Sequence, residues 1–351
     1  MGGCHPSDNV ALALTLARHL SSGGRELIES VLVAFTSSAA FSTHYDPESA
    51  NYDHDAAAPF YTALTIGRAL GLESEELVRA QRIAGMLGLD TNQAALGQVT
   101  DWKHCTYASG AMRAVQAVKL ARAGFDAPPE IYEGAAGVDR FFPHADEFFH
   151  PPVDLSRIIF KRWPALVFCQ TPIDVALDLA GQLPEGAAIA SVHVETFALA
   201  LRNGGGQSAA RPTSRAGRTH SIPYCVATAL LKPIEYTDFD EPRSRDPDVL
   251  ALLDKVRVSE DPVLTAAYPA SSPCVITLTL SDGTTLSARR EVPVGDPTDP
   301  LSDDQLSGKL RQYFAFARSQ AEQDEIIERL WDLESQTDLD WLIAPLERRR
   351  L

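Results

Sequence analysis

Apolar residues recur at helical spacing through the first 123 residues, and turn residues divide this region into separate helices. The pattern predicts helices at Val10–Leu20, Arg25–Phe41, Ala56–Leu70, Ser74–Leu87 and Cys105–Ala123. The last of these helices consists largely of small residues, which let neighbouring helices approach closely. We therefore expect it to lie at the centre of a helical domain.

Strand patterns appear beyond the prolines at positions 128–129 and 151–152. Ile189–Leu199 alternates and is rich in β-branched residues, while Cys274–Leu280 and Thr284–Val292 flank a Ser-Asp-Gly turn that predicts a hairpin. Between the strands, helical spacing predicts helices at Pro172–Leu183, Ser221–Leu231 and Asp246–Val256.

A charged helical pattern returns at Leu301 and continues through Arg349. Helices at both ends and a mixed middle predict an α+β fold: a large all-α helical domain, completed by the C-terminal helices, with a smaller α+β domain inserted. The predicted boundaries are 1–152 for the helical domain, 153–299 for the α+β domain and 300–351 for the C-terminal helices.

The composition is that of a globular protein. Of 351 residues, 45% are hydrophobic and 22% charged, and the formal net charge is −16. This acidity argues against a nucleic-acid-binding protein, which usually carries a basic patch. An anionic substrate would need a local cluster of cationic side chains.

The five cysteines are scattered, and no two form a C-x-x-C pair. This argues against zinc ribbons and thioredoxin-like redox sites, and the sequence has no compact group of three cysteines to hold an iron–sulfur cluster. Residues 1–9 do not resemble a signal peptide, and no apolar stretch is long enough to span a bilayer. We expect a cytoplasmic protein with reduced thiols.

Clusters of polar residues stand directly before several apolar helices. Cys4–Asn9 precedes the first helix, where a helix cap is a commoner explanation than catalysis. The second cluster lies within His44–Asp55, where neighbouring Asp53 and Asp55 would orient His54 and favour its charged form. A solvated loop with a capping aspartate is the alternative.

Three further clusters contain cationic residues. Asp101–His104 precedes the helix that carries Arg113, which indicates either a carboxylate clamp or an ordinary surface lysine. Lys161–Pro164, followed by Gln170, fits a basic surface turn. Arg211–Tyr224 combines arginines, a histidine and a tyrosine before an apolar helix, and a solvated loop with a serine cap is its alternative.

Other motifs give no sign of chemistry. Gly204–Gly206 lacks a lysine at Walker spacing and predicts a flexible loop, and neither G-x-S-x-G nor H-E-x-x-H occurs. His193 lies in a strand pattern and is interpreted as a packing residue. His144 and His150 are expected at the surface.

In this order, the clusters resemble the MmgE/PrpD family over nearly the whole chain. The strings that carry the resemblance are His5-Pro6-Ser7-Asp8-Asn9, Tyr52-Asp53-His54, Gly67–Leu72, Trp102-Lys103, Arg113-Ala114-Val115, Glu133-Gly134, Lys161–Ala165, Arg211–Arg215, His220–Tyr224, Val294–Pro297 and Pro300-Leu301-Ser302. Each string alone is weak, but their collinear order is specific.

The resemblance implies a helical domain with a smaller α+β lid and an active site in the cleft between them. It also implies a homodimer without metal or organic cofactor, acting as a lyase on a small di- or tricarboxylic acid. The implied catalytic residues are His5, His54, Lys103 and Tyr224, and the implied substrate-binding residues are Arg113, Gln170, Arg215 and His220.

Two alternatives stay open at the level of sequence. The same groups could serve an isomerase, epimerase or cyclase acting on a carboxylic acid, because these reactions use the same kinds of group. Family members also carry helices before the His-Pro-Ser motif, so we expect exposed apolar surface where that segment would lie. A non-catalytic member that binds a ligand or partner is the second alternative, although the retained histidines, lysine and tyrosine favour an enzyme.

Overall fold

The computed structural model describes residues 5–94, 99–144, 154–241, 243–315 and 317–347. Its α-helices are α1 (Asn9–Leu20), α2 (Gly24–His44), α3 (Ala58–Ala69), α4 (Ser74–Met86), α5 (Thr106–Arg122), α6 (Val167–Ala180), α7 (Ala198–Ala200), α8 (Gln207–Ala210), α9 (Arg215–Thr219), α10 (Ile222–Leu231), α11 (Pro247–Leu253), α12 (Pro262–Ala267), α13 (Asp303–Phe314), α14 (Gln320–Trp331) and α15 (Asp340–Glu347). Its strands are β1 (Ile189–Thr196), β2 (Val256–Glu260), β3 (Cys274–Leu280) and β4 (Thr285–Arg290). None of these described helices is long and apolar enough to cross a membrane.

The chain divides into two compact units, each built from more than one segment. The first comprises Met1–Ala94, His104–Leu155 and Ala321–Leu351, and the second comprises Ala95–Lys103 and Ser156–Gln320. Helices form the first unit and the sheet lies in the second, so the predicted α+β fold is confirmed. The boundaries inferred from sequence at residues 152 and 299 stay a prediction.

Helices α2, α3, α4 and α5 share one core in the first unit. Helix α5 contributes Ala114, Ala117 and Ala121, which are fully buried. A Cβ atom at Gly110 would lie 2.8 Å from the Cβ atom of Ala58 at the start of α3. The small side chains thus allow the close approach of α5 to α3 that the sequence predicts.

The last helix also belongs to the first unit. A separate apolar cluster joins it to α1 and α2, and an ion pair links Arg18 of α1 with Asp340 of α15. The members of the cluster are Ala13, Ala17, Leu27, Leu339 and Ile343. The chain from Ala321 onward therefore belongs to the helical unit, whereas α13 belongs to the second unit.

The second unit contains a four-stranded sheet in the order β2-β1-β3-β4. β1 pairs with β2 in parallel and with β3 antiparallel, and β3 pairs antiparallel with β4. Helices α6 and α10 cover the apolar face of the sheet. At the predicted hairpin, Gly283 has φ +89° and Asp282 accepts the N–H of Thr284 at 2.8 Å. The hairpin prediction is confirmed.

Two element predictions in this unit are wrong in their limits. The helix expected through Val256 ends at Leu253, and Val256 instead begins β2, a five-residue strand that the sequence pattern missed. Helix α6 begins at Val167, with Pro172 inside it. Nine of its residues are buried, so tertiary packing outweighs the backbone hydrogen bond that the proline removes.

The prediction of a flexible loop at Gly204–Gly206 is also wrong. Leu201–Gly205 forms a π-helical turn. A Cβ atom at Gly205 would lie 2.8 Å from Cγ1 of Val258 in β2. Gly205 therefore serves close packing against the sheet.

Candidate active site

Two short 3-10 helices hold His5 and His54 in the first unit. The turn Pro6–Asp8 follows His5, whose carbonyl accepts the N–H of Asp8 at 3.0 Å. His54 begins the turn His54–Ala57, and the preceding Asp53 caps it by accepting the N–H of Asp55 at 3.0 Å. At Asp53, capping and candidate chemistry therefore occur together. At the start of α1, the Asp8 side chain at the N-cap makes no capping hydrogen bond, so the cap expected from the first cluster is not formed.

His5 and His54 contact each other although 49 positions separate them in sequence. His5 Nδ1 and His54 Nε2 are 2.6 Å apart, and the rings meet edge to face with centroids 4.3 Å apart. The His54 side chain is 10% exposed and the His5 side chain 27%, so His5 is the outer ring. Asp8 Oδ2 lies 3.9 Å from His5 Nδ1.

Three carboxylates surround the inner ring, His54. Asp53 Oδ1 lies 3.4 Å and Glu48 Oε1 4.0 Å from its Nδ1, while Asp55 Oδ2 lies 3.4 Å from its Nε2. Asp53 and Asp55 are buried, so water screens their charges poorly. Negatively charged carboxylates at these distances favour a positive charge on the two histidine rings.

Buried hydroxyl groups anchor the neighbours of the histidines. Thr106 Oγ1 donates to Asp55 Oδ2 at 3.2 Å. Asn9 Oδ1 accepts the hydroxyl of Tyr107 at 2.8 Å, and the Asn9 amide donates to the carbonyl of Pro6 at 3.2 Å. Burial raises the pKa of Tyr107 above its ordinary value, so its hydroxyl stays a donor.

Two sets of described side chains bring donor atoms close enough to hold a metal ion: His5, Asp8 and His54, and Asp53, His54 and Asp55. In the first set the two ring nitrogens are 2.6 Å apart. Nitrogens bound to one tetrahedral ion at about 2.0–2.1 Å would stand roughly 3.4 Å apart. This set is arranged for sharing a proton.

A cavity of about 820 Å³ lies along α2 in the first unit. Its walls are mainly apolar and include Leu32 and Phe41, with Tyr45 among the polar residues. His5 and His54 do not line it. Phe41 and Tyr45 also line a much smaller cavity that His54 does reach. The larger cavity is thus a neighbour of the histidine pair and does not contain it.

Arg113, a predicted substrate-binding residue, is held within the first unit. Its guanidinium donates to the carbonyl of Gly88 at 2.7 Å and pairs with the carboxylate of Asp90. The carbonyl of Asp90 accepts the N–H of Asp53 at 3.1 Å. Arg113 therefore supports the segment that carries Asp53, and its role toward substrate stays a prediction.

Tyr224 and Gln170 are buried in the second unit. The Tyr224 hydroxyl donates to the carbonyl of Asp238 at 2.6 Å, and burial raises its pKa to about 12. The Gln170 amide donates to the carbonyls of Trp163 and Ala165, both at 3.1 Å. Both side chains thus hold backbone segments, and their roles in catalysis and binding stay predictions.

Arg215 and His220 also have partners within the second unit. Arg215 Nε donates to Asp240 Oδ1 at 2.5 Å, and its guanidinium lies over the ring of Tyr236 at 4.5 Å. His220 Nδ1 donates to the carbonyl of Ala216 at 2.8 Å. Because this carbonyl only accepts, the neutral His220 ring has Nε2 as its acceptor nitrogen.

Lys103 lies half-buried in the 3-10 turn Asp101–His104 and belongs to the second unit. The structure brings together two of the four predicted catalytic residues, His5 and His54, within the first unit. That Lys103 and Tyr224 serve the same site stays a prediction.

Several residues around the histidine pair are absent from the site predicted from sequence. Asn9, Asp53 and Asp55 stand in the polar clusters, but only as caps or neighbours. Glu48, Thr106 and Tyr107 lack such a signal, apart from their closeness in sequence to the clusters. Only the fold shows that they contact the histidines or the neighbours of the histidines.

Sequence patterns also give expectations for three further histidines. His144 is exposed, as predicted, and His150 lies outside the described residues. His193 lies in β1 on the exposed face, where its Nε2 is 2.8 Å from Ser259 Oγ. The packing role expected for His193 is therefore wrong, because its ring lies at the surface and is hydrogen-bonded to Ser259.

Comparison with known proteins gives matches along nearly the whole chain. The family model for the MmgE/PrpD N-terminal domain matches residues 2–149, and that for the MmgE/PrpD C-terminal domain matches residues 163–333.

Individual relatives are more distant. A 2-methylcitrate dehydratase from Cupriavidus necator is 28% identical over 312 residues, covering 80% of this chain and 63% of the relative. A cis-aconitate decarboxylase from Mus musculus is 26% identical over 222 residues, covering 60% of this chain and 45% of the relative. The chain thus spans less than two thirds of the length of these relatives. Because both domain models match in order, the chain belongs to the MmgE/PrpD family.

Proposed function

We propose that this protein is a lyase that acts on a small di- or tricarboxylic acid by acid–base chemistry, removing water or carbon dioxide. The observation that carries the proposal is the hydrogen-bonded pair of His5 and His54 among carboxylates. Proton transfer at a carbon beside a carboxylate needs a base and an acid held in position, and such a pair supplies both. The names of the relatives, a dehydratase and a decarboxylase, support the same chemistry.

In a dehydration, the histidine pair takes the proton from the carbon, and the hydroxyl group leaves as water after it is protonated. In a decarboxylation, the same pair returns a proton to the carbon after carbon dioxide leaves. We assign carboxylate binding to Lys103, with Arg113 or Arg215, because cations suit carboxylates. Tyr224 is assigned to the oxygen or carboxylate side, and these assignments rest on the family resemblance.

The test is to incubate the purified chain with 2-methylcitrate, citrate and cis-aconitate and to follow products by proton NMR. We expect conversion of at least one acid. His54→Ala should lower kcat by roughly a hundredfold or more, the usual contribution of a general acid–base group. His193→Ala, which removes an exposed histidine of β1, is the matched control and should leave kcat unchanged.

The outcomes separate the proposal from its alternatives. Loss of water or carbon dioxide supports a lyase, whereas a rearranged product of the same mass would indicate an isomerase or epimerase. A raised melting temperature without any product would indicate a non-catalytic binder. Full activity in a folded His54→Ala variant would contradict the site assignment.

We also propose that the reaction needs no metal or organic cofactor, since proton transfers account for it. Dialysis against a chelator should then leave kcat unchanged, and loss that zinc or iron restores would contradict this. The proposed homodimer rests on the family resemblance, and a cytoplasmic location stays a prediction. The buried free thiols of Cys169, Cys225 and Cys274 support a reducing compartment.

A further inference from the structure

We propose that Asp53 is a positioning residue: it fixes the protonation of His54 so that His5 is the imidazole that exchanges a proton with the substrate. The kinetic part of this inference rests on the proposed function. The protonation pattern itself can be measured on the protein without substrate, so the two can fail separately.

Asp53 is held rigidly on the inner side of the pair. It is fully buried, and its own N–H donates to the carbonyl of Asp90 at 3.1 Å. Its Oδ1 accepts the N–H of Asp55 at 3.0 Å and lies 3.4 Å from His54 Nδ1.

Asp55 Oδ2 lies equally close to His54 Nε2, but that oxygen accepts the Thr106 hydroxyl, and Nε2 has His5 Nδ1 nearer, at 2.6 Å. Nδ1 of His54 faces two carboxylates, Asp53 and Glu48. Because an ionised carboxylate only accepts hydrogen bonds, these two groups favour a proton on Nδ1.

This assignment determines the rest of the pair. With a proton on Nδ1, the neutral His54 ring has Nε2 as an acceptor, and this atom is 2.6 Å from His5 Nδ1. His5 Nδ1 must therefore carry the proton of that hydrogen bond. The remaining ring nitrogen of His5, Nε2, then bears a lone pair and is the base of the pair.

The same geometry allows the charge to move inward after proton uptake. When His5 Nε2 takes a proton from the substrate carbon, His5 Nδ1 can pass its own proton to His54 Nε2. His5 is then neutral with a proton on Nε2, ready to act as an acid, and the positive charge stands on His54. The transfer balances, because one proton enters the pair and one positive charge results.

Charged groups around the pair favour this final state. Titratable groups that face it include Asp8 beside His5 and Glu48, Asp53 and Asp55 around His54. The phenols of Tyr61 and Tyr45 lie beyond them: Tyr61 donates to Asp55 at 3.5 Å, and Tyr45 lines a small cavity with His54. The carboxylates thus concentrate on the inner ring, where a charge would be least hydrated.

The first test is nitrogen NMR of the histidine rings in the unliganded protein, with signals assigned by loss in His54→Ala and His5→Ala. We expect His54 Nδ1 to keep its proton through the whole titration of the pair, while His5 Nε2 gains and loses one. An unprotonated Nδ1 on neutral His54 would overturn the proposal. This outcome does not depend on finding a substrate.

The second test is Asp53→Asn, which keeps an oxygen to cap Asp55 but removes the charge. We expect kcat to fall by about ten- to a hundredfold with KM within about twofold, as part of the general-base contribution. The acidic limb of the pH–rate profile should move to lower pH, because the pair loses a stabilising negative charge. A role confined to folding would not move this limb.

The matched control is Asp246→Asn. Asp246 caps α11 in the same way, by accepting the N–H of the residue two positions later at 2.9 Å. It should leave kcat and the pH profile unchanged. If Asp53→Asn folds and behaves like Asp246→Asn, Asp53 is only a helix cap and the proposal is wrong.

Discussion

Asn9 connects the packing of the helical unit with the position of His5. Its side chain is fully buried, accepts the hydroxyl of Tyr107 at 2.8 Å and donates to the carbonyl of Pro6 at 3.2 Å. Thr62 approaches the same oxygen at 3.4 Å. One amide thus holds α3, α5 and the turn after His5 together.

Asn9→Ala should therefore be strongly destabilising for a single polar substitution. It leaves a buried hydroxyl without its acceptor, which costs about 1–3 kcal/mol in the free energy of unfolding. Urea denaturation followed by circular dichroism measures this loss. Asn92→Ala, at a half-buried position, is the control and should change the free energy by less than about 0.5 kcal/mol. Equal effects would contradict a special role for Asn9.

At the scale of residues, sequence reasoning found candidates but not their partners. His5 and His54 could be singled out because each stands among polar residues before an apolar helix. Their contact depends on long-range packing that spacing does not encode, and the approach of Glu48 to His54 depends on the path of the loop between them. Tyr224 and Gln170 are also predicted site residues, yet the side chain of each is hydrogen-bonded to backbone carbonyls.

At the scale of elements, two helical glycines lie in different surroundings, and replacing each by alanine should change the free energy of unfolding in opposite directions. Gly110 in α5 faces the start of α3, where an added Cβ would lie 2.8 Å from Ala58 Cβ. Gly308 in α13 has nothing within 4 Å of an added Cβ. Alanine improves helix propensity at both positions, so packing decides the difference.

We expect Gly110→Ala to lower the free energy of unfolding by about 1–2 kcal/mol, because overpacking outweighs the gain in propensity. Gly308→Ala should raise it by about 0.5–1 kcal/mol. Urea unfolding of the two variants side by side measures both changes. A stabilised Gly110→Ala would show that α5 and α3 can separate without cost.

Predictions of elements succeeded where the element was long and failed where it was short. The five N-terminal helices and the hairpin follow from patterns of many residues. β2 has only five residues, and its pairing with β1 lies 60 positions or more away in sequence, so local spacing does not reveal it. The sequence pattern begins a helix at Pro172 and predicts a loop at the glycines near 204, but packing overrides both signals.

At the scale of the whole molecule, buried phenols limit stability at high pH. Burial raises the pKa of Tyr224 and Tyr313 to about 12, and that of other buried tyrosines further. Above about pH 10 the unfolded chain loses these protons and the folded chain keeps them. The free energy of unfolding therefore falls as pH rises, by roughly 1.4 kcal/mol per pH unit for each such group.

We expect cooperative unfolding between about pH 10 and pH 12, with tyrosinate absorbance rising together with the loss of circular dichroism. Tyr132→Phe should move the midpoint to higher pH. Its hydroxyl is buried and has no hydrogen-bond partner among the described residues, so removing it costs little at pH 7. Tyrosinate formation that is complete before any helix is lost would contradict this expectation.

The packing of α15 against α1 and α2 has a consequence for biosynthesis. The helical unit cannot close its cluster of Ala13, Ala17 and Leu27 until Leu339 and Ile343 leave the ribosome. The sheet and its covering helices come from the nearly continuous stretch Ser156–Gln320. During translation the second unit can therefore finish folding first. The helical unit, which bears His5, completes its packing only after the C-terminal helix has been synthesised.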